Sequence, residues 1–165
     1  MSTLVGKKAP DFNVTAVKNG EFIEGFNLNQ FHGKKHVVLF FYPLDFTFVC
    51  PTELHEFQDK LGEFERLGAE VIACSTDSHF SHLAWLNTPR KQGGIEGVTY
   101  PLIADMNKTV SRDYGVLLED AGIALRGTFI IDKDGLVQSE VVNNTSLGRN
   151  IDDTLRTLKA LQFTE

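Results

Sequence analysis

Neither of the two cysteines in this sequence has a partner nearby. Cys50 and Cys74 lie 24 positions apart, with no CxxC pair and no zinc-ligand spacing. That pattern excludes a vicinal dithiol and a structural zinc site. No apolar run reaches the length of a signal peptide or a membrane span, and the opening residues MSTLVGKKAPDF are mixed in character. The expectation is a cytosolic protein with no membrane partner. Basic tracts are missing too. The formal net charge is -6, with acids and bases interspersed, so nucleic acid and anionic lipid are poor partners. No repeat, low-complexity tract or linker divides the chain, which reads as one domain over residues 1–165.

What is present suits a packed core, since 42% of the residues are hydrophobic, enough for one compact domain of this length. Two alternating segments, Phe12–Val17 and Phe22–Leu28, flank the turn Lys18-Asn19-Gly20-Glu21 and predict an N-terminal hairpin. HVVLFFY (His36–Tyr42) is a continuous β-branched and aromatic run, the pattern of a strand buried on both faces, and Pro43 ends it. Glu53–Leu67 carries helical spacing through Leu54, Phe57, Leu61 and Phe64. AEVIACS (Ala69–Ser75) is a second buried strand, followed by a helix over His79–Asn87. A short strand over Pro101–Asp105, a short helix over Lys108–Tyr114 and a strand over Gly127–Ile131 come next. Asp132-Lys133-Asp134-Gly135 turns that strand into Leu136–Val142, and an amphipathic helix over Asn150–Leu161 closes the chain. Strands alternating with helices, then a hairpin and a helix, predict an α/β sandwich.

The chemically informative segment is FYPLDFTFVCPTEL, where the first buried strand gives way to its helix. Cys50 stands at the helix start, and Pro51 takes the first helical position, where a missing N–H costs nothing. A thiol there meets the positive end of the helix dipole and unpaired backbone N–H groups, which favour the nucleophilic thiolate. A buried cysteine filling space beside an aromatic strand fits the same residues. Thr47, three positions earlier, is either a turn hydroxyl or a group within reach of the sulfur. Arg126 sits at the mouth of the apolar strand ALRGTFII, where a buried guanidinium needs an anionic partner such as a thiolate or Glu53. Capping a strand end accounts for it equally well. Cys74, inside VIACS, reads as a buried and inert thiol. His79 and His82 could share a helical face, but no thiol or carboxylate completes a metal-ligand set, so both read as exposed histidines.

FYPLDFTFVCPTEL resembles the active-site signature of the peroxiredoxins, in particular the two-cysteine group that includes the bacterial alkyl hydroperoxide reductase peroxidase subunit. The family pattern P-x-x-x-T-x-x-C is met by Pro43, Thr47 and Cys50. DSHFSHLAW (Asp77–Trp85), YPLIAD (Tyr100–Asp105), LRGTFIID (Leu125–Asp132) and LGRNIDDTLR (Leu147–Arg156) resemble family segments in the expected order, so the likeness spans essentially the whole chain. It implies a thioredoxin-like fold with a central mixed sheet flanked by helices. It also implies a peroxidase acting on hydrogen peroxide and small organic hydroperoxides, with an antioxidant role. In that scheme Cys50 is the peroxidatic cysteine, Pro43 shields its thiolate and the Thr47 hydroxyl holds a peroxide oxygen. Arg126 favours the thiolate and steadies developing charge, while Glu53 and Arg149 form an outer ion-pair network that orients Arg126. Sulfur itself takes the oxidation to sulfenic acid, so neither metal nor organic cofactor is implied.

The same resemblance implies as electron donor a thioredoxin-like protein or a dedicated flavoprotein disulfide reductase. It also implies a homodimer, assembled into a ring of five dimers, with Phe80 in the stretch that resembles the ring-building interface; Phe46 and Phe48, which flank the active-site loop, read as interface anchors or as core-filling residues. Two-cysteine relatives carry a resolving cysteine beyond the last helix, whereas here no cysteine follows Cys74 and the sequence ends at Glu165. Either the sequence is shortened by a few tens of residues, the favoured reading, or an external thiol serves. GGIEG (Gly93–Gly97) resembles the family's glycine-rich loop linked to overoxidation. Two further functions compete: a holdase role of the overoxidised ring, and a thioredoxin-like disulfide reductase. The second lacks its second cysteine in Cys50-Pro51-Thr52-Glu53.

Overall fold

A computed structural model describes residues 3–47 and 50–165. Strands β1 (Asn13–Lys18) and β2 (Glu21–Asn27) form the N-terminal hairpin. Strand β3 (His36–Phe41) leads through a loop into helices α1 (Cys50–Asp59) and α2 (Leu61–Arg66). Next come β4 (Ala69–Ser75), α3 (His79–Leu86), β5 (Leu102–Ala104) and α4 (Thr109–Asp113). The chain continues through β6 (Leu117–Leu118), β7 (Ile123–Ala124), β8 (Arg126–Ile131), β9 (Val137–Asn143) and α5 (Ile151–Thr164).

Seven strands make one mixed sheet in the order β2-β1-β5-β4-β3-β8-β9. Strand β4 runs parallel to β3 and β5, while β8 is antiparallel to β3. The two middle strands, β3 and β4, come from the two apolar runs, and all six β3 residues are buried. Alternation along β3 splits the core into two layers. Val38, Phe40 and Tyr42 face one layer with Leu54, Phe57, Phe64, Trp85 and Leu158. Val37, Leu39 and Phe41 face the other with Ile72, Tyr114 and Phe129. This is the thioredoxin-like arrangement that the resemblance implies, with helices covering a central mixed sheet.

Two expectations change. The helix starts at Cys50 as expected, but the run read through to Leu67 breaks at Lys60 into α1 and α2. Gly62, a weak helix former just past the break, favours this bend, and both Phe57 and Phe64 still reach the core. The two-residue strands β6 and β7 were not predicted, because two residues are too few to show an alternating pattern.

Candidate active site

Cys50 is the first residue of α1 and is fully buried, with 0% exposure. The strand end and the helix start meet here, so the sulfur lies near the carboxyl end of the sheet, where the polar groups of several elements converge. From the strand next to β3, β8 supplies Arg126 at its first residue. Nη1 of Arg126 donates to Cys50 Sγ at 3.4 Å and to Glu53 Oε1 at 2.7 Å. Its Nε donates to the Thr145 carbonyl at 2.9 Å. The guanidinium is therefore clamped from two sides, with one N–H directed at the sulfur.

Glu53 lies on the first turn of α1, and its second oxygen accepts from the Arg149 backbone N–H at 2.6 Å. The Arg149 side chain also lies against this carboxylate, with Nε 3.3 Å from Oε2, although that N–H is not aligned for a hydrogen bond. Arg149 instead donates to the Gly127 carbonyl, the Thr128 hydroxyl and the Phe41 carbonyl, and its guanidinium sits 5.1 Å from the centre of the Phe40 ring. Burial pulls the Arg149 guanidinium below its ordinary value, and the Glu53 carboxylate opposes that effect. One buried carboxylate thus serves two buried arginines, and the excess positive charge faces the sulfur. Charge pairing of this kind is what permits such groups in an interior at all.

The loop before Cys50 is also shaped. Pro43 is buried. Thr47 does not hydrogen-bond the sulfur. Its hydroxyl donates to the Leu44 carbonyl at 3.0 Å, which leaves its oxygen free to accept from a ligand O–H. Phe46 holds φ at +61°, unusual for an aromatic residue.

Around α1 the glycine-rich loop packs closely. The Gly94 carbonyl is hydrogen-bonded to His55 Nε2 at 3.1 Å, and the Gly93 carbonyl accepts from Trp85 Nε1 at 2.9 Å. A Cβ on Gly94 would come within 1.9 Å of the Thr88 carbonyl oxygen, so only glycine fits.

Beside this loop lies a polar cluster that the sequence did not announce. His82, expected to be exposed, is fully buried, with its ring nitrogens on the Asp45 carboxylate and the Ile103 carbonyl. Of the two, His79 remains partly open, its ring edge-on to Phe22 and tilted against Phe80. Helical spacing correctly puts His82 on α3 but says nothing of a carboxylate 37 positions earlier. The one available signal was Asp45 itself, a lone acid inside the apolar stretch FYPLDFTF.

A cysteine at a helix start, paired with a clamped guanidinium in a thioredoxin-like frame, is an arrangement suited to thiol redox chemistry. Residues 5–140 match the family described as AhpC/TSA family. The chain belongs to that family, and its relatives place it with the two-cysteine peroxiredoxins. It is 57% identical to the chloroplastic 2-Cys peroxiredoxin BAS1 of Spinacia oleracea, over 98% of this chain and 60% of that one. It is 58% identical to the mitochondrial thioredoxin-dependent peroxide reductase of Mus musculus, over 98% of this chain and 62% of that one. The chain thus spans about three fifths of the length of these two curated relatives. The crystal structure of reduced 2-Cys peroxiredoxin from Plasmodium vivax superimposes with a TM-score of 0.94 at 46% identity, covering 98% of this chain and 83% of that one.

Proposed function

We propose that the protein is a thiol-dependent peroxidase that reduces hydrogen peroxide and small organic hydroperoxides through Cys50. The observation that carries this reading is the Arg126 N–H held 3.4 Å from Cys50 Sγ by partners that leave it little freedom. The Cys50 thiolate attacks one peroxide oxygen and the O–O bond breaks. The other oxygen takes a proton and leaves as water or alcohol, and Cys50 becomes a sulfenic acid. Sulfur supplies both electrons. Arg126 stabilises charge at the sulfur before attack and on the departing oxygen during it, without reorganising. Thr47, whose oxygen is free to accept, holds the peroxide O–H, and buried Pro43 keeps water from the thiolate. Glu53 and Arg149 orient Arg126.

Regeneration condenses the sulfenic acid with a second thiol, releasing water, and a dithiol donor then reduces the disulfide. A thioredoxin-like protein fits that role, in keeping with the name of the Mus musculus relative. A dedicated flavoprotein disulfide reductase is the alternative donor. We place the protein in the cytosol, where its two free cysteines stay reduced, although the two curated relatives are named for chloroplast and mitochondrion. A homodimer that assembles into a ring of five dimers has a surface to use. Phe46 is 53% exposed and Phe80 66%, and the Phe80 ring meets exposed Phe22 edge to face. Phe48, the third residue expected there, lies outside the described residues.

The test is hydrogen peroxide consumption with a supplied dithiol, comparing wild type with Cys50→Ser and Cys74→Ser. Loss of turnover in Cys50→Ser alone is expected. Equal turnover in Cys50→Ser and wild type would reject the reading.

A further inference from the structure

Residues 42–47, which carry Pro43 and Thr47, form neither helix nor strand, yet the proposed chemistry needs both residues beside Cys50. This loop's one buried carboxylate explains how. The Asp45 side chain is fully buried and accepts from the Tyr42 hydroxyl at 2.6 Å and from the Ser81 hydroxyl at 2.9 Å. Its oxygen Oδ2 also lies 2.7 Å from His82 Nδ1. The Asp45 backbone N–H donates to Asp77 Oδ2 at 2.8 Å, and Ser75 holds that same oxygen at 2.6 Å. The loop is thus tied to the end of β3, to the segment after β4 and to α3 through a single residue.

Proton placement in this cluster follows from its acceptors. His82 Nε2 faces the Ile103 carbonyl at 3.0 Å, which can only accept, so Nε2 carries a hydrogen. His82 Nδ1 faces a carboxylate that already receives two hydroxyl donors. A neutral ring would turn its lone pair on that carboxylate at 2.7 Å. The pair therefore holds one shared proton between Nδ1 and Oδ2.

We propose that His82 and Asp45 form a buried positioning pair that seats the active-site loop, and that loss of their shared proton releases Pro43 and Thr47 from Cys50. Neither residue touches the sulfur, and their effect runs through the loop backbone. The carboxylates acting on His82 are Asp45 and Asp77, Tyr42 and the Ile103 carbonyl also face it, and Ser81 acts on it through Asp45. Burial pulls His82 down, but the hydrogen bond and charge of Asp45, together with the Ile103 carbonyl and Asp77, outweigh it, and the ring titrates above its ordinary value. The folded state therefore holds this proton more tightly than the unfolded chain does. The pair's contribution is complete below about 6.5 and is lost as pH rises through the raised folded value.

Trp85, the single tryptophan, offers a readout independent of turnover. Its ring lies 5.7 Å from Tyr42 and 5.9 Å from loop residue Phe46, both centre to centre. The experiment follows Trp85 fluorescence and single-turnover reaction with hydrogen peroxide against pH in wild type, His82→Asn and His82→Ala. Asparagine keeps a donor near the Nδ1 position without titrating. Wild type should show a fluorescence transition above pH 6.5, accompanied by a fall in rate. His82→Asn should show neither transition nor fall and keep most of the neutral-pH rate. His82→Ala should react about 10- to 100-fold more slowly at neutral pH, the scale of a misplaced catalytic group. If His82→Ala does not fold, Asp45→Asn supplies the same disruption from the loop side. A wild-type signal flat with pH, or an unchanged transition in His82→Asn, would overturn the proposal. Its activity arm rests on the peroxidase reading. Absence of peroxide reaction with the fluorescence pattern intact would fail that reading and leave the positioning pair standing.

Discussion

Cys50 and Cys74 are equally buried, each with no exposed surface, but their surroundings differ in kind. Cys74 sits inside β4, in register with Phe41 on one side and Ile103 on the other, within the layer that also holds Ile72 and Phe129. Burial pushes its thiol up, and the nearby Asp105 carboxylate pushes it further. Cys50 belongs to the opposite layer, at a helix start, with a guanidinium N–H at 3.4 Å. The first site disfavours negative charge on sulfur, while the second sets a guanidinium donor against it. Depth of burial does not separate a reactive thiol from an inert one. What separates them is which polar atoms share the cavity, and that depends on where each cysteine falls within its element.

The comparison breaks most severely at Arg126. Replacing it with Lys keeps a positive charge but loses the planar fork that reaches Cys50, Glu53 and Thr145 together. Single-turnover reaction with hydrogen peroxide should slow by about 10²-fold or more, the scale of losing one aimed donor. Circular dichroism should still show a folded protein. A rate within a factor of two of wild type would make Arg126 structural, and Cys50 would then resemble Cys74.

A smaller effect is expected one step outward. Glu53→Gln keeps one acceptor oxygen for either the Arg126 N–H or the Arg149 backbone N–H, turns an amide N–H on the other, and removes the charge that pairs the two guanidiniums. The rate should fall about tenfold, less than the 10²-fold that outright misplacement costs. Thermal unfolding should also move to lower temperature, because two buried guanidiniums lose their carboxylate. An unchanged rate with lowered stability would confine Glu53 to a structural role.

Much of this arrangement was legible in the sequence because it is local. HVVLFFY and AEVIACS read as buried strands, and both form the middle of the sheet. Cys50 followed by Pro51 reads as a helix start, and α1 begins there. The proximity of Arg126 to Cys50 was one of two open readings, since 76 positions separate them and only the β3–β8 pairing brings them together. His82 was misread for the same reason. Its partners, Asp45 and the Ile103 carbonyl, come from a loop and a strand that meet only in the folded sheet. Local periodicity reports which face of a helix a residue takes, but not which polar group waits on the other side. The bend at Lys60 escaped notice because the apolar spacing continues straight through it.

The smallest effect belongs to Cys74, and its smallness is the point. Cys74→Ser puts a hydroxyl into the apolar layer formed by Phe41, Ile72 and Ile103. The cost is about 1 to 3 kcal/mol of stability, as for an uncompensated buried polar group, measured by urea unfolding. The rate of reaction with peroxide should not change, because Cys74 faces the layer opposite Cys50. The same geometry forbids a Cys50–Cys74 bond, since the sheet lies between the two side chains. When the 165-residue chain is titrated with hydrogen peroxide, intact mass should therefore show successive oxygen additions, and peptide mapping should place them on Cys50. Sulfenic acid that meets no thiol climbs to sulfinic and then sulfonic acid. Non-reducing electrophoresis should remain at the monomer position throughout. A disulfide containing Cys74 would show that β4 opens readily enough to expose it, and the contrast between the two cysteines would then be one of access, with the fixed electrostatics demoted to a secondary cause.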